Sequence, residues 1–300
     1  MNKITKRRYK ILTDFPKVHA FLTDIYSIGN MNSYLLPQFF EYAQSHSYFN
    51  AKYTHCNMLW EDDGELIAIA CYEMDIGECC LAVRDGFDHL LPEMIDHAES
   101  ELYASDNGKR KLTFWVMSNE TEKQDLLAER GYNKTYTEPI NIFRYKNPFR
   151  EVTLPDGFTL MDDLTDADPV KIYKCCWQGF DHGEIPADYL DHRDNREGNI
   201  HALTSPNYRA DLGTIIVAPD GEYACLAGMW IDETNKYAYL EPLCTIPQYR
   251  RMGLATIALT NSMKKTKTLG AEYCFGGGMD FYTAIGFEII AYRETWEKIY

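Results

Sequence analysis

Apolar positions along this chain follow two rhythms, one repeating every three to four residues and one gathered into short runs between breakers. The first predicts helices over 15–27, 35–48, 90–103, 122–130, 169–180 and 254–269. The second predicts strands over 55–60, 66–73, 78–83, 111–117, 140–145, 158–161, 213–217, 223–232, 237–245 and 288–298. Asp63-Gly64 and Asp220-Gly221 sit between apolar runs, where Asp-Gly signals a hairpin turn. Strands and helices thus interleave through the chain, which predicts an α/β protein. Residues 146–155 carry Pro148 and Pro155 and few apolar positions, so they read as a linker between domains 1–147 and 148–300.

The stretch 237–255 stands apart from the rest. A short apolar strand is punctuated by Pro247, followed by the turn Arg250-Arg251-Met252-Gly253 and then by a helix. The first turn of a helix presents unpaired N–H groups and the positive end of its dipole, which suits an anion. Gly253 lets backbone approach that anion with no Cβ in the way, and the two arginines add charge. The glycine spacings of a Walker loop or a dinucleotide fingerprint are missing. Some thirty residues on, after the strand-like Ala-Glu-Tyr-Cys-Phe-Gly of 271–276, comes Phe281-Tyr282-Thr283-Ala284-Ile285-Gly286-Phe287.

Arg250-x-x-Gly253-x-Ala255 after a strand resembles the acetyl-CoA motif of the GNAT acetyltransferases. Tyr282, four residues before Gly286-Phe287, resembles that family's second signature, in the same order and at the same distance. The two halves of the chain also echo each other. Asp63-Gly64-Glu65 corresponds to Asp220-Gly221-Glu222, and Leu126 to Tyr132 corresponds to 281–287. The resemblance therefore implies two tandem GNAT-like domains, each a mostly antiparallel mixed sheet flanked by helices. The first copy has Ala82-Val83-Arg84-Asp85-Gly86-Phe87-Asp88 in place of the arginine turn, and Leu127 in place of the tyrosine. Asp85 and Asp88 repel a pyrophosphate, so this half reads as degenerate and structural.

The resemblance implies that acetyl-CoA is a cosubstrate, with pantetheine along Leu243, Cys244 and Thr245 and pyrophosphate at Arg250, Arg251, Met252, Gly253, Leu254 and Ala255. It further implies direct transfer of acetyl to a primary amine of a small molecule. Tyr282 is the candidate general acid, since an ordinary phenol keeps its proton at neutral pH, and a packing role is the alternative. Glu241 either takes the amine proton or orients a cationic acceptor, or else is a strand-end carboxylate facing solvent. Cys244 as a covalent nucleophile is the lesser reading, because a buried cysteine commonly fills a core. Asp181-His182 and Asp191-His192 lack ligand spacing, so no metal is expected, and Gly276-Gly277-Gly278 reads as a loop at the mouth of the site. A non-catalytic acyl-CoA-binding or interaction protein is the rival reading.

Composition narrows the partners. The chain of 300 residues is 45% hydrophobic, with no apolar run long enough to span a bilayer and no secretory h-region at its start. Nine cysteines, an odd number without CxxC spacing, point to reduced thiols and a cytoplasmic location. A formal net charge of −15 argues against nucleic acid as a partner. The stretch 181–197 holds Asp181, Glu184, Asp188, Asp191, Asp194 and Glu197 against Arg193 and Arg196. Such a rim either favours a polycationic acceptor such as a polyamine or an aminoglycoside, or is a solvated loop on an already acidic protein. Oligomeric state is not legible in the sequence.

Overall fold

The structure is a computed structural model, and it describes residues 4–186, 188–191 and 205–300. In chain order the strands and helices begin with β1 (Ile4–Arg8), α1 (Ile11–Ile25), α2 (Pro37–Ser45), β2 (Met58–Asp62), β3 (Glu65–Cys71) and β4 (Glu78–Val83). α3 (Leu91–Glu101), β5 (Ala104–Asp106), β6 (Lys109–Met117), α4 (Thr121–Glu129) and β7 (Asn133–Arg144) follow. After residues 146–158, which hold no strand or helix, come β8 (Thr159–Met161), α5 (Pro169–Gly179), β9 (Thr214–Val217), β10 (Tyr223–Asp232) and β11 (Tyr237–Thr245). The described chain closes with α6 (Leu254–Thr268), β12 (Tyr273–Gly276), α7 (Asp280–Ala284) and β13 (Glu288–Ile299).

The chain divides into two compact units, Met1–Ile140 with Ile290–Tyr300, and Asn141–Ile289. This departs from the division at 147/148 in two respects, the first being that residues 141–147 belong with the second unit. The second is that residues 290–300 belong with the first unit, because β13 pairs antiparallel with β6 from Arg293↔Met117 to Ile299↔Lys111.

In the first unit the strands run β1-β2-β3-β4-β6-β13, followed by β7 to Ile140, with β5 on β6. β4 and β6 pair parallel, at Glu78↔Thr113, Cys79↔Phe114 and Cys80↔Trp115, while β1–β2, β2–β3, β3–β4, β5–β6 and β6–β13 are antiparallel. The β2–β3 turn has Asp63 at φ 51 and Gly64 at φ 86, the left-handed pair that a two-residue hairpin requires. Leu91, Met94, Ile95 and Ala98 of α3, spaced by three and four, pack on the alternate residues Ala68, Ala70, Leu81 and Val83 of β3 and β4.

In the second unit the order is β7 from Asn141, then β12-β11-β10-β9-β8. β12 pairs antiparallel with β7 and parallel with β11, and the remaining pairs are antiparallel. Alternation sorts the two faces. Leu254, Ala258, Leu259 and Met263 of α6 cover Cys225, Ala227, Met229 and Ala238. On the opposite side Cys175 of α5 joins Ile215, Leu226 and Cys244. β10 is buried on both faces except at Ile231, as expected of a central strand.

Candidate active site

β11 does not stay flat as it approaches the site. Ala227 faces Leu243 and Met229 faces Leu240, so Gly228 alone stands opposite Glu241 and Pro242. A Cβ on Gly228 would lie 2.4 Å from the carbonyl oxygen of Glu241, so only glycine lets the bulge close. The bulge follows the end of the pairing with β12: among the described residues the two strands pair only at 237–239 with 273–275. Leu243, Cys244 and Thr245 lie beyond that pairing, still held by β10.

The loop from β11 to α6 has the backbone geometry of an anion-binding turn. A single 3-10 turn, Pro247–Tyr249, leads to Arg250, then Arg251 at φ 66 and Gly253 at φ 83. Gly253 is the N-cap of α6 and provides no side-chain cap, so the first N–H groups of that helix are left for another acceptor. A Cβ on Gly253 would also meet Val152 at 2.7 Å. Leu254 is buried, Ala255 half-buried, and Arg251 and Met252 are exposed. A pyrophosphate suits this cradle of backbone donors, left-handed turns and a cationic side chain.

Arg250 is engaged elsewhere. Its Nε donates to the carbonyl of Thr245 at 3.1 Å, and its Nη2 donates to the carbonyl of Gly179 and to Oδ1 of Asp181, both at 2.9 Å.

Tyr282, on α7, is 7% exposed. Its ring rests on the end of β12, where a Cβ on Gly276 would lie 2.6 Å from Cδ1 and one on Gly277 would lie 2.9 Å from Cε2. The glycine run read as a mouth loop therefore includes the seat of this phenol. Burial pushes the Tyr282 hydroxyl well above its ordinary range; a backbone contact from Gly277 opposes this, and the charge of Glu241 adds to it. Glu241 stands at the bulge of β11, and Tyr282 on the end of β12, the strand paired with β11 at 237–239. Cys244 is buried, with its Sγ 3.7 Å from that of Cys175. Its contact with Cys175 and its burial hold the thiol protonated, which suits packing rather than nucleophilic attack.

Asp181, Glu184 and Asp188 are exposed, and the part of the acidic stretch at 192–197 lies outside the described residues. Among the described residues no cluster of His, Cys, Asp or Glu has a geometry that holds a metal, and no helix is long and apolar enough to cross a membrane. Sequence reading missed Gly228, although a glycine inside a buried apolar strand is itself a signal of close backbone approach.

The first unit repeats the architecture with different contents. The N–H of Tyr132 donates to the carbonyl of Leu127 at 3.0 Å, as that of Phe287 does to Tyr282 at 3.0 Å. Beyond Cys80, however, β4 is satisfied by its own unit. Leu81 O accepts from Lys123 Nζ at 2.7 Å and from Ser33 Oγ at 3.1 Å, and the N–H of Val83 donates to Oδ1 of Asn32 at 3.1 Å. Asn32, Ser33 and Tyr34 all have positive φ, a left-handed turn lodged against that strand.

Residues 170–287 match the model of the acetyltransferase (GNAT) family. No curated protein sequence matches the chain. Among solved structures, the tandem GNAT protein from the clavulanic acid biosynthesis pathway, determined without acetyl-CoA, superposes with a TM-score of 0.62 at 11% identity, covering 99% of this chain and 98% of that one. A GCN5-related N-acetyltransferase from Sphaerobacter thermophilus gives 0.57 at 12% identity, covering 99% and 95%. An acetyltransferase of the GNAT family from Colwellia psychrerythraea gives 0.56 at 14%, covering 98% of each chain. At such identities these likenesses speak for the fold. Residues 170–287 thus form a GNAT acetyltransferase domain, carried in a chain with the fold of tandem GNAT proteins.

Proposed function

We propose that the second unit transfers acetyl directly from acetyl-CoA to a primary amine of a small molecule. The observation that carries this reading is the uncapped start of α6 at Gly253, directly after β11, beside a buried Tyr282 seated on the end of the neighbouring strand β12. When bound, acetyl-CoA supplies an activated thioester carbonyl. Leu243 to Thr245 would hold its pantetheine arm, and Arg251, Gly253, Leu254 and Ala255 its pyrophosphate. Glu241 takes the proton from the attacking amine, directly or through water. Tyr282, kept protonated by burial, gives its proton to the departing sulfur. The first unit is structural in this scheme, since Asn32, Ser33 and Lys123 fill the corresponding strand edge. The nine unpaired cysteines fit a reducing, cytoplasmic setting.

The acceptor we propose is a small molecule with more than one amino group, attracted by Asp181, Glu184, Asp188 and Glu241. Thiol release from acetyl-CoA, measured against polyamines, aminoglycosides, amino acids, monoamines and peptides, tests both parts. Turnover with a polyamine that exceeds turnover with a monoamine at low salt, and loses that advantage at high salt, supports the reading. Binding of acetyl-CoA without turnover on any amine supports the non-catalytic rival. Turnover that is indifferent to salt and to amine count leaves the acetyltransferase but removes the polycationic acceptor.

A further inference from the structure

The arginine of the cofactor motif is built into a joint that does not face the helix start. α5 ends at Gly179, and the last carbonyls of a helix carry the negative end of its dipole. Arg250, 71 residues away, places its guanidinium on that carbonyl, on the carbonyl of Thr245 at the end of β11, and on the carboxylate of Asp181. The same joint is closely packed. A Cβ on Gly179 would lie 2.7 Å from Cβ of Cys244 and 3.3 Å from the N of Thr245. Asp181 itself sits at φ 60, a left-handed residue immediately past the helix. An exposed ion pair contributes little alone. Here one planar fork joins a helix end, a strand end and the segment leaving the helix, which is geometry a lysine cannot copy.

Resting on the acetyltransferase reading, we propose that Arg250 is a positioning residue that pins the end of α5 and Asp181 against β11, while the cofactor phosphates are met by Arg251 and the α6 N–H groups. The segment it pins is the one next to the reacting groups. Cys175, one turn before the end of α5, lies with its Sγ 3.7 Å from that of Cys244 on β11, three residues beyond Glu241. Asp181 and Glu184 follow directly and belong to the acidic rim. The two adjacent arginines therefore divide the work, one on the amine side and one on the phosphate side.

Three single variants separate the roles, Arg250→Lys, Asp181→Asn and Arg251→Gln, with CoA affinity read by calorimetry and amide exchange followed over residues 177–183. The amides of Phe180, Asp181 and His182 bond to Cys176, Gln178 and Trp177 and report the pinned segment. Arg251→Gln is expected to weaken CoA about tenfold, the scale of one charge-assisted contact, with exchange over 177–183 unchanged. Arg250→Lys and Asp181→Asn are expected to leave CoA affinity within about twofold, to speed exchange there about tenfold, and to raise KM for the amine more than they lower kcat. If Arg250→Lys weakens CoA as much as Arg251→Gln does and leaves exchange unchanged, the inference is overturned while the acetyltransferase reading stands. Intact protein that binds no CoA overturns both.

Discussion

Phe287 donates its backbone N–H to the carbonyl of Tyr282 at 3.0 Å and sets its ring edge-on to the phenol, with centroids 5.2 Å apart and planes at 71°. That pairing fixes the short helix α7, whose five residues make few hydrogen bonds of their own. It also explains why the tyrosine and the Gly-Phe pair are legible as one signature. The glycine, at φ 105, turns the chain so that the phenylalanine returns to the tyrosine.

With the phenol held in place by its neighbours, Tyr282→Phe removes a proton donor and little packing. We expect kcat to fall about a hundredfold, the usual scale for a general acid, with CoA affinity unchanged. Steady-state kinetics alongside calorimetry decides the point. A near-normal kcat reduces Tyr282 to a packing residue.

Gly253→Glu places a carboxylate and a Cβ where the chain has φ 83 and where Val152 stands 2.7 Å from the Cβ position. Calorimetric titration of the parent with acetyl-CoA should show one site per chain, and this variant should show none. Two equivalent sites in the parent would contradict the filled strand edge of the first unit.

Gly228→Ala tests the bulge. The added methyl meets backbone, the carbonyl oxygen of Glu241 at 2.4 Å, so a side chain cannot simply move aside. Overpacking of this kind costs about 1–3 kcal/mol. Denaturant unfolding should show that loss, together with weaker CoA binding. An unchanged midpoint would mean that β11 can reshape without glycine opposite the bulge.

Glu73, in the first unit, gives stability an unusual pH slope. Burial, helped by the charges of Glu78 and Glu138 and opposed by Arg293, raises its carboxyl from 4.5 to about 7. Between those values the folded chain holds a proton that the unfolded chain has lost, so this group makes stability fall as pH rises through the window. Glu73→Gln should match the parent near pH 4.5 and exceed it at pH 8, by about 3 kcal/mol at most. Thermal unfolding of both proteins across the window measures the difference. Parallel curves would show that Glu73 ionises in the folded state as it does in the unfolded one.

The parts of the fold written in local sequence were legible. The Asp-Gly hairpin, the strand Tyr237–Thr245 and the turn of 250–253 each depend on residues close together in the chain. β1 was missed because Ile-Thr-Lys-Arg-Arg has no core pattern of its own, and it becomes a strand by pairing with β2. The home of β13 was illegible for the same reason. An alternating strand fits either sheet, and only long-range pairing with β6 selects one. In the site, the motif named Arg250 and Tyr282 but not their partners. Which carbonyls a guanidinium finds, and which glycines seat a ring, are settled by tertiary approach.

The capture of β13 by the first unit has a consequence for the order of synthesis. Residues 1–140 leave the ribosome long before residues 290–299, so for most of translation β6 waits with Lys111–Met117 unpaired on the side that β13 will occupy. Its apolar Leu112, Phe114, Val116 and Met117 are then an open strand edge, a template for wrong pairing with other chains. A gene cut at residue 147 makes that state permanent, so the first unit expressed alone is expected to aggregate, and a peptide spanning 288–300 supplied in trans is expected to rescue it.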